Sequence, residues 1–403
     1  MMNPLMKCYC RTVQLAFRLA MPLLPYREPE RFDSIRSIPA LLDQLNIHSV
    51  LLVTDRPLRE AGMTRPLEEL LEQTRCHCAV YDGTRANPTV HNVEEAREQY
   101  LAKKCQCLIA FGGGSSMDCA KAVGARIVYP KRSVNQMKGL LRVLRRLPPL
   151  IAIPTTAGTG SEVTVTAVIT DSERKHKYTM NNFTMIPRYT VLDPAVTRTL
   201  PPALTATTGM DALTHAVEAY IGGSTTEETR RLALETVRLV FGNIEAAYQN
   251  GNDLTARKNM LHAAHIAGIA FSKSYVGYVH AVAHSLGGEY NTPHGLANAV
   301  LLPIGLEIYG PCVHRKLWEL GRSAGVVKET DGQAEGAAAF IAAIRSLNRR
   351  LNIPEKLPEI RRVDVPHMAA HAAREANPLY PVPRLMDAEE LGLFYERAAD
   401  WGE

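Results

Sequence analysis

Two stretches in the second half of the chain set metal-ligating residue types one helical turn apart. Residues 209–220 read GMDALTHAVEAY, which places Asp211 and His215 at i and i+4. Residues 279–288 read VHAVAHSLGG, which places His280 and His284 at the same spacing. With 3.6 residues per turn, i and i+4 share one helix face, so each pair would converge outward on a common point. Pro293 then interrupts the pattern, and His294 stands at the head of the next helix. One carboxylate with several imidazoles suits Fe(II), Zn(II) or a similar first-row ion. A single buried histidine is usually just a hydrogen-bonded core residue. Two such pairs followed by a histidine at a helix start are harder to explain that way. His262 and His265, at i and i+3 on the preceding helix, compete as ligands on spacing alone.

The first half carries a different kind of signal. Residues 108–116 read LIAFGGGSS and run into a helical pattern at 117–125. Glycines let a backbone approach a pyrophosphate, and the free N–H groups of a helix start favour negative charge. The run is not the G-x-G-x-x-G fingerprint and does not follow the first strand. By itself it is equally the glycine geometry of a tight strand-to-helix turn. Asp55 ends the first apolar strand, where a carboxylate can accept from ribose hydroxyls or can cap the next helix. Its charge would repel a 2′-phosphate and so favour NAD over NADP. Residues 154–162, PTTAGTGSE, follow another strand and are either a ribose–phosphate wrap or a polar loop.

These groups need elements to position them. From residue 34 to about 200, short apolar runs at 49–54, 79–81, 108–112 and 150–154 alternate with helical patterns at 57–74, 92–104 and 118–128. That alternation predicts a parallel sheet built from βαβ units. The Thr/Val alternation of 162–170, EVTVTAVIT, predicts an antiparallel addition at the sheet's edge. After Leu200-Pro201-Pro202 the strand-like runs give way to Ala/Leu/His-rich helical periodicity. Breaks fall at Gly222-Gly223, Asn250-Gly251 and Asn291-Thr292-Pro293. The expected division is therefore an α/β domain over 1–200 and an all-α domain over 201–403.

At 403 residues the chain has room for two cores, and 46% hydrophobic with 22% charged residues is ordinary globular composition. The net charge of +5 is mild. Much of it comes from Lys131, Arg132, Lys138, Arg142, Arg145 and Arg146, a stretch without interleaved aromatics, so no nucleic-acid partner is expected. Eight cysteines include three C-x-C pairs, Cys8/Cys10, Cys76/Cys78 and Cys105/Cys107, a spacing that fits zinc motifs poorly. Buried reduced thiols are the expectation, which favours a cytoplasmic setting. No acid occurs in the first 27 residues, where Lys7, Arg11 and Arg18 punctuate an apolar stretch. Arg18 splits what would be a signal peptide's apolar core; a mitochondrial transit peptide or a helix packed on the first domain are the remaining readings. No apolar run approaches the ~20 residues of a membrane span, so no membrane partner is expected.

At these motifs the chain closely resembles the iron-containing (group III) alcohol dehydrogenases. The resemblance runs from about residue 30 to the C-terminus. Its specific strings are GGGSSMD (112–118), PTTAGTGSE (154–162), LPPALTATTGMDALTHAVEAY (200–220) and VHAVAHSLGGEYNTPHGLANAVLLP (279–303). It implies a Rossmann-like nicotinamide-binding domain, a helical metal-binding catalytic domain of the dehydroquinate synthase-like fold, and a cleft between them. The family's metal ligands carry onto Asp211, His215, His280 and His294. His284 then lines the nicotinamide side and is a candidate proton relay. Cofactor positions carry onto Asp55, Asn87, Gly112, Gly113, Gly114, Ser115, Asp118, Thr155, Thr156, Thr159 and Lys177, with NAD and Fe(2+) (or Zn(2+)) as the implied cofactors. The implied reaction is reversible hydride transfer between a small primary alcohol or aldehyde and NAD(H), with the metal as Lewis acid, in a homodimer or higher homo-oligomer. Rival readings are a hydroxyacid–oxoacid transhydrogenase, another polyol dehydrogenase of the same fold, and a silent nucleotide-binding assembly protein. The family pattern is departed from at the N-terminal 25 residues, at Arg31-Phe32-Asp33, where a glycine-containing turn is common, and at Ser116, where many members have proline.

Overall fold

The computed structural model describes residues 2–21, 25–172 and 176–401. The chain divides into two compact units, Pro25–Leu200 and a second formed by Met1–Leu24 with Pro201–Glu403. The boundary after Leu200 is where strand-like runs give way to helical periodicity. The N-terminal stretch groups with the helical unit, whereas the sequence division placed it in the α/β half.

In the α/β unit, β1 (Glu30–Phe32), β2 (Ser49–Val53), β3 (His77–Tyr81), β4 (Cys107–Gly112), β6 (Leu150–Pro154) and β9 (Tyr189–Val191) form one sheet. All pairings are parallel, in the order β1-β9-β6-β4-β2-β3. Alternate residues of the central strands serve opposite faces. Leu51, Val53, Leu108, Ala110 and Ala152 pack on α5 (Val90–Ala102) and α6 (Gly114–Val128). Val50, Leu52, Ile109, Phe111, Ile151 and Ile153 pack on α2 (Ile38–Gln44) and α4 (Arg65–Gln73). With both faces covered, β4 is buried along its whole length, which explains why it reads as an unbroken apolar run. Strand order reverses between the neighbours β2 and β4. In open α/β sheets, ligands bind outside the carboxyl ends of strands at such a switch point.

Two expectations are corrected. The pattern at 57–74 is two helices, α3 (Arg56–Glu60) and α4, because Gly62 takes the left-handed conformation (φ 72) and ends the first. The Thr/Val stretch at 162–170 does not extend the large sheet. Only β7 (Thr166–Asp171) is a strand, and it pairs antiparallel with β8 (His176–Asn181) in a separate three-stranded sheet completed by β5 (Gly139–Leu140). A left-handed Gly160 (φ 58) and a 3-10 turn over Ser161–Val163 redirect the chain before β7 begins.

The helical unit comprises α1 (Pro4–Ala20), α7 (Pro202–Ile221), α8 (Glu227–Gln249), α9 (Leu254–Ser274), α10 (Tyr278–Glu289) and α11 (His294–Tyr309). It continues with α12 (His314–Ser323), α13 (Gln333–Arg350), α14 (Val365–Ala376) and α15 (Ala388–Ala398). α7 starts on prolines, favoured in a first turn, and is buried on every face from Gly209 to Ile221. Its side chains there meet protein all round, so Asp211, His215 and Glu218 are held away from water. By length and hydropathy the helical run His294–Ser323 could cross a membrane, but 67% of its apolar window is buried within the protein, as in a core helix.

Candidate metal centre and dinucleotide cradle

α7 contributes Asp211 and His215, α10 contributes His280, and His294 is the first residue of α11. One ligand atom from each lies within 4.8 Å of those of the other three. Asp211 is the hub: its Oδ1 is 3.8 Å from His280 Nε2 and 3.5 Å from His294 Nε2, and its Oδ2 is 4.0 Å from His215 Nδ1. Asp211, His215 and His280 are buried, and His294 is partly exposed. His280 Nε2 is buried without a hydrogen-bond partner and looks toward a carboxylate oxygen. A lone pair facing a carboxylate inside a protein is unfavourable unless a cation lies between them. Burial, then the neighbouring His215, His294 and His284 rings, hold the His280 pKa well below its ordinary value and keep the imidazole neutral, the form that ligates. Three imidazoles and one carboxylate at these separations fit a first-row divalent cation.

A second layer fixes these ligands. Glu218, one turn beyond His215 on α7, accepts from His280 Nδ1 at 2.6 Å and from the backbone N–H groups of Gly277 and Val279, both at 2.8 Å. That bond puts the His280 proton on Nδ1 and leaves Nε2 as the donor atom for a metal. Burial pushes the Glu218 carboxyl up to about 7, while the three donors pull against it. Gly277 is required here: a Cβ on it would sit 2.5 Å from Glu218 Oε1. Asn298, fully buried on α11, donates Nδ2 to Asp211 Oδ1 at 2.7 Å and lies 3.1 Å from His294 Nε2. The Phe271 ring stacks on His215 at 4.2 Å. His262 and His265 are not in the convergent group. Their spacing is right, but α9 turns His262 toward Glu235, 3.6 Å away.

In the α/β unit, the glycine run caps α6 at the carboxyl end of β4. Gly113 is the N-cap and offers no side chain, so the first turn keeps its N–H groups for an outside acceptor. Gly112 takes φ 153, and a Cβ there would lie 2.4 Å from Ser116 Oγ. A Cβ on Gly114 would lie 3.0 Å from Thr159 Cγ2, so the PTTAGTGSE loop sits directly against the helix start. Thr155 N–H donates to Gly112 O at 3.0 Å, which joins the two loops, and Gly113 approaches Thr156. Asn87, at φ 59, donates its N–H to Ser115 Oγ at 3.3 Å. Asp55 lies at the end of β2, the strand beside β4, and caps α3 through Leu58 N–H at 2.9 Å. A glycine-lined helix start at the sheet's switch point, beside a carboxylate, fits a dinucleotide.

Residues 31–194 match the model of the iron-containing alcohol dehydrogenases, and residues 205–399 match that of the Fe-containing alcohol dehydrogenase family, C-terminal. The chain belongs to the iron-containing alcohol dehydrogenase family. It is 36% identical over 352 residues to 1,3-propanediol dehydrogenase from Klebsiella pneumoniae, spanning 86% of this chain and 90% of that one. The crystal structure of a 1,3-propanediol oxidoreductase superposes with a TM-score of 0.89 at 34% identity, covering 93% of this chain and 99% of the other. Sulfoacetaldehyde reductase from Bifidobacterium kashiwanohense in complex with NAD+ superposes with a TM-score of 0.83 at 25% identity, covering 94% and 99%.

Three further expected positions are held by contacts within their own unit. Asp118 Oδ1 accepts from Ser161 Oγ at 2.8 Å and Oδ2 from Val168 N–H at 3.0 Å, so its carboxylate braces the second loop. Lys177 lies on β8 opposite Thr170, and burial lowers its ammonium pKa. His284 stacks on His294 at 5.2 Å and bonds through Nδ1 to Glu375 Oε1 at 2.6 Å. Lys121 escaped the sequence reading altogether. Fully buried, it donates Nζ to Ser161 Oγ, Thr164 O, Thr164 Oγ1 and Thr166 O at 2.8–3.1 Å, and so sets the course of the second loop into β7. Its signal was a lysine inside an otherwise apolar helix pattern. Nearby, Tyr290 donates its hydroxyl to Asp364, and Tyr275 packs between Phe17 and Tyr380.

Proposed function

We propose that the chain is an NAD(H)-dependent alcohol dehydrogenase that interconverts a small primary alcohol and its aldehyde at a divalent iron or zinc centre. The observation that carries the reading is the buried, unpartnered His280 Nε2 aimed at Asp211, with His215 and His294 converging on the same point. When bound, the ion supplies Lewis acidity to the alcohol oxygen and NAD+ supplies the hydride acceptor. The protein's part is positional. Glu218 holds His280 in the ligating tautomer, Asn298 fixes the Asp211 carboxylate, and Phe271 backs the His215 ring. His284, with its Nδ1 proton committed to Glu375, keeps Nε2 as the atom that accepts a proton leaving the alcohol.

For the dinucleotide, the α6 N–H groups after Gly112 and Gly113, those of Gly114 and Ser115, would hold the pyrophosphate, with Thr155, Thr156, Thr159 and Asn87 lining it. Asp55 would receive the adenosine ribose, which would favour NAD over its 2′-phosphorylated form. The NAD+ complex of the sulfoacetaldehyde reductase and the activity named for the propanediol relative support this reading. All eight cysteines are free, in keeping with a reducing cytoplasm.

The test is metal analysis of anaerobically purified protein, with a panel of alcohols and aldehydes followed through NADH on the same sample. Stoichiometric iron or zinc with NADH formed from a primary alcohol is the expected result. Metal-loaded protein that binds NAD(H) but turns over nothing in the panel would favour the silent nucleotide-binding reading. Tightly retained nucleotide with exchange only between hydroxyacid and oxoacid would favour the transhydrogenase.

A further inference from the structure

α1 lies outside the family-matched residues, yet a continuous set of contacts runs from it to the metal centre. Arg11 Nη1 and Nη2 donate to the carbonyls of Val382 and Pro383 at 2.8 and 2.9 Å. Nη1 also binds Gln14 Oε1 at 2.8 Å, and the buried Gln14 Nε2 donates to Tyr380 O at 2.7 Å. These acceptors lie in the irregular segment 377–387 between α14 and α15, where no helix or ladder satisfies the backbone. The Phe17 ring meets Tyr275 edge-on at 5.3 Å, and Tyr275 meets Tyr380 at 5.4 Å. Tyr275 is held at φ 67, ψ 177, a conformation that side chains avoid and that persists only where the surroundings over-determine it. Tyr380 donates its hydroxyl to Glu375 Oε1 at 2.7 Å, the same oxygen that binds His284 Nδ1 at 2.6 Å.

We propose that α1 is a strut of the active site: through Tyr380 it fixes Glu375, and Glu375 is the positioning residue that sets the orientation and tautomer of His284. A carboxylate only accepts, so His284 Nδ1 carries the proton and the ring cannot turn over without losing the bond. The catalytic consequence rests on the dehydrogenase reading; the structural linkage does not.

Two perturbations test it: Arg11→Leu with Gln14→Leu, which removes the strut's hydrogen bonds and keeps apolar bulk, and Glu375→Ala beside Glu375→Gln. Glu375→Ala should lower kcat roughly 10–100-fold with bound metal unchanged, the usual loss when an outer-layer partner is removed. Glu375→Gln keeps an acceptor for Nδ1–H and should recover most of it. The strut pair should lower kcat about 10-fold, and adding it to Glu375→Ala should cause no further loss, since both act through one chain of contacts. Unchanged kcat in the strut pair, or losses that simply add, would overturn the proposal. Gln14→Leu alone carries the same expectation should the pair fail to fold.

A second readout needs no turnover. The His284 Nδ1–H proton should give a downfield ¹H NMR resonance, assigned by its disappearance in His284→Ala. It should vanish in Glu375→Ala and shift or broaden in the strut variant. If it persists unchanged in the strut variant, the linkage is wrong even where the enzyme is active. If it responds as expected in a protein that oxidises no alcohol, only the dehydrogenase reading has failed.

Discussion

In Glu218→Gln the side chain keeps its shape and loses one of its two acceptor oxygens. Oε2 of the native carboxylate accepts from Gly277 N–H and His280 Nδ1, and Oε1 accepts from Val279 N–H. An amide nitrogen turned toward Val279 leaves a buried N–H without an acceptor, at a cost of ~1–3 kcal/mol. Turned the other way, it confronts Gly277 N–H and forces His280 either to lose its bond or to move its proton to Nε2. The second outcome removes the lone pair that faces Asp211. Either way the remaining bonds also lose their charged acceptor, so the metal-free variant should be less stable by about 2–3 kcal/mol. Its affinity for Zn(II) or Fe(II) should fall roughly 10–100-fold. Denaturant midpoints at unchanged slope measure the first, and competition with a chromogenic chelator measures the second. A variant with native stability and native metal affinity would refute the idea that Glu218 presents His280.

Gly112→Ala should destabilise the α/β unit by about 1–3 kcal/mol, because φ 153 suits glycine and the new Cβ would meet Ser116 Oγ at 2.4 Å. It should also weaken NADH binding in a fluorescence titration, and an unchanged affinity would detach the glycine run from the cofactor. Lys121 yields a pH signature. Burial lowers its pKa from 10.5 to about 8, against the pull of Asp118 and Glu162, so between those values the unfolded chain binds the extra proton. Stability from this group is therefore fully present above pH 10.5 and is lost as pH falls through about 8. The stability gap between wild type and Lys121→Met should widen by roughly 3 kcal/mol between these pH values, read from denaturation curves at matched salt. A gap that stays constant would show that the ammonium is not disfavoured in the fold.

Features that depend on local periodicity were legible in the sequence. β4, β6 and β2 after Ser49 stand out because burial on both faces leaves them no polar residue, and Asp211 with His215 stands out because helical spacing pairs them. Spacing could not choose between His280, His284, His262 and His265, since that choice depends on where α9 and α10 lie in space. Glu218 was half-visible: it follows Asp211 and His215 at i+7 and i+3 on the same face, within the quoted motif. Asn298, Glu375 and Tyr380 were not, because their partners lie far along the chain. β1 and β9 are three residues each, too short for a periodic signal. α1 has a recognisable helical pattern, but its place in the helical unit rests on Arg11 and Gln14 meeting carbonyls some 370 residues away.

The most direct test of the central claim is His280→Ala, assayed for bound metal, NADH-linked alcohol turnover and NAD(H) affinity on one preparation. Loss of metal and turnover with NAD(H) affinity unchanged is the predicted result. Retention of stoichiometric metal with native turnover would contradict the assignment of Asp211, His215, His280 and His294 as the centre.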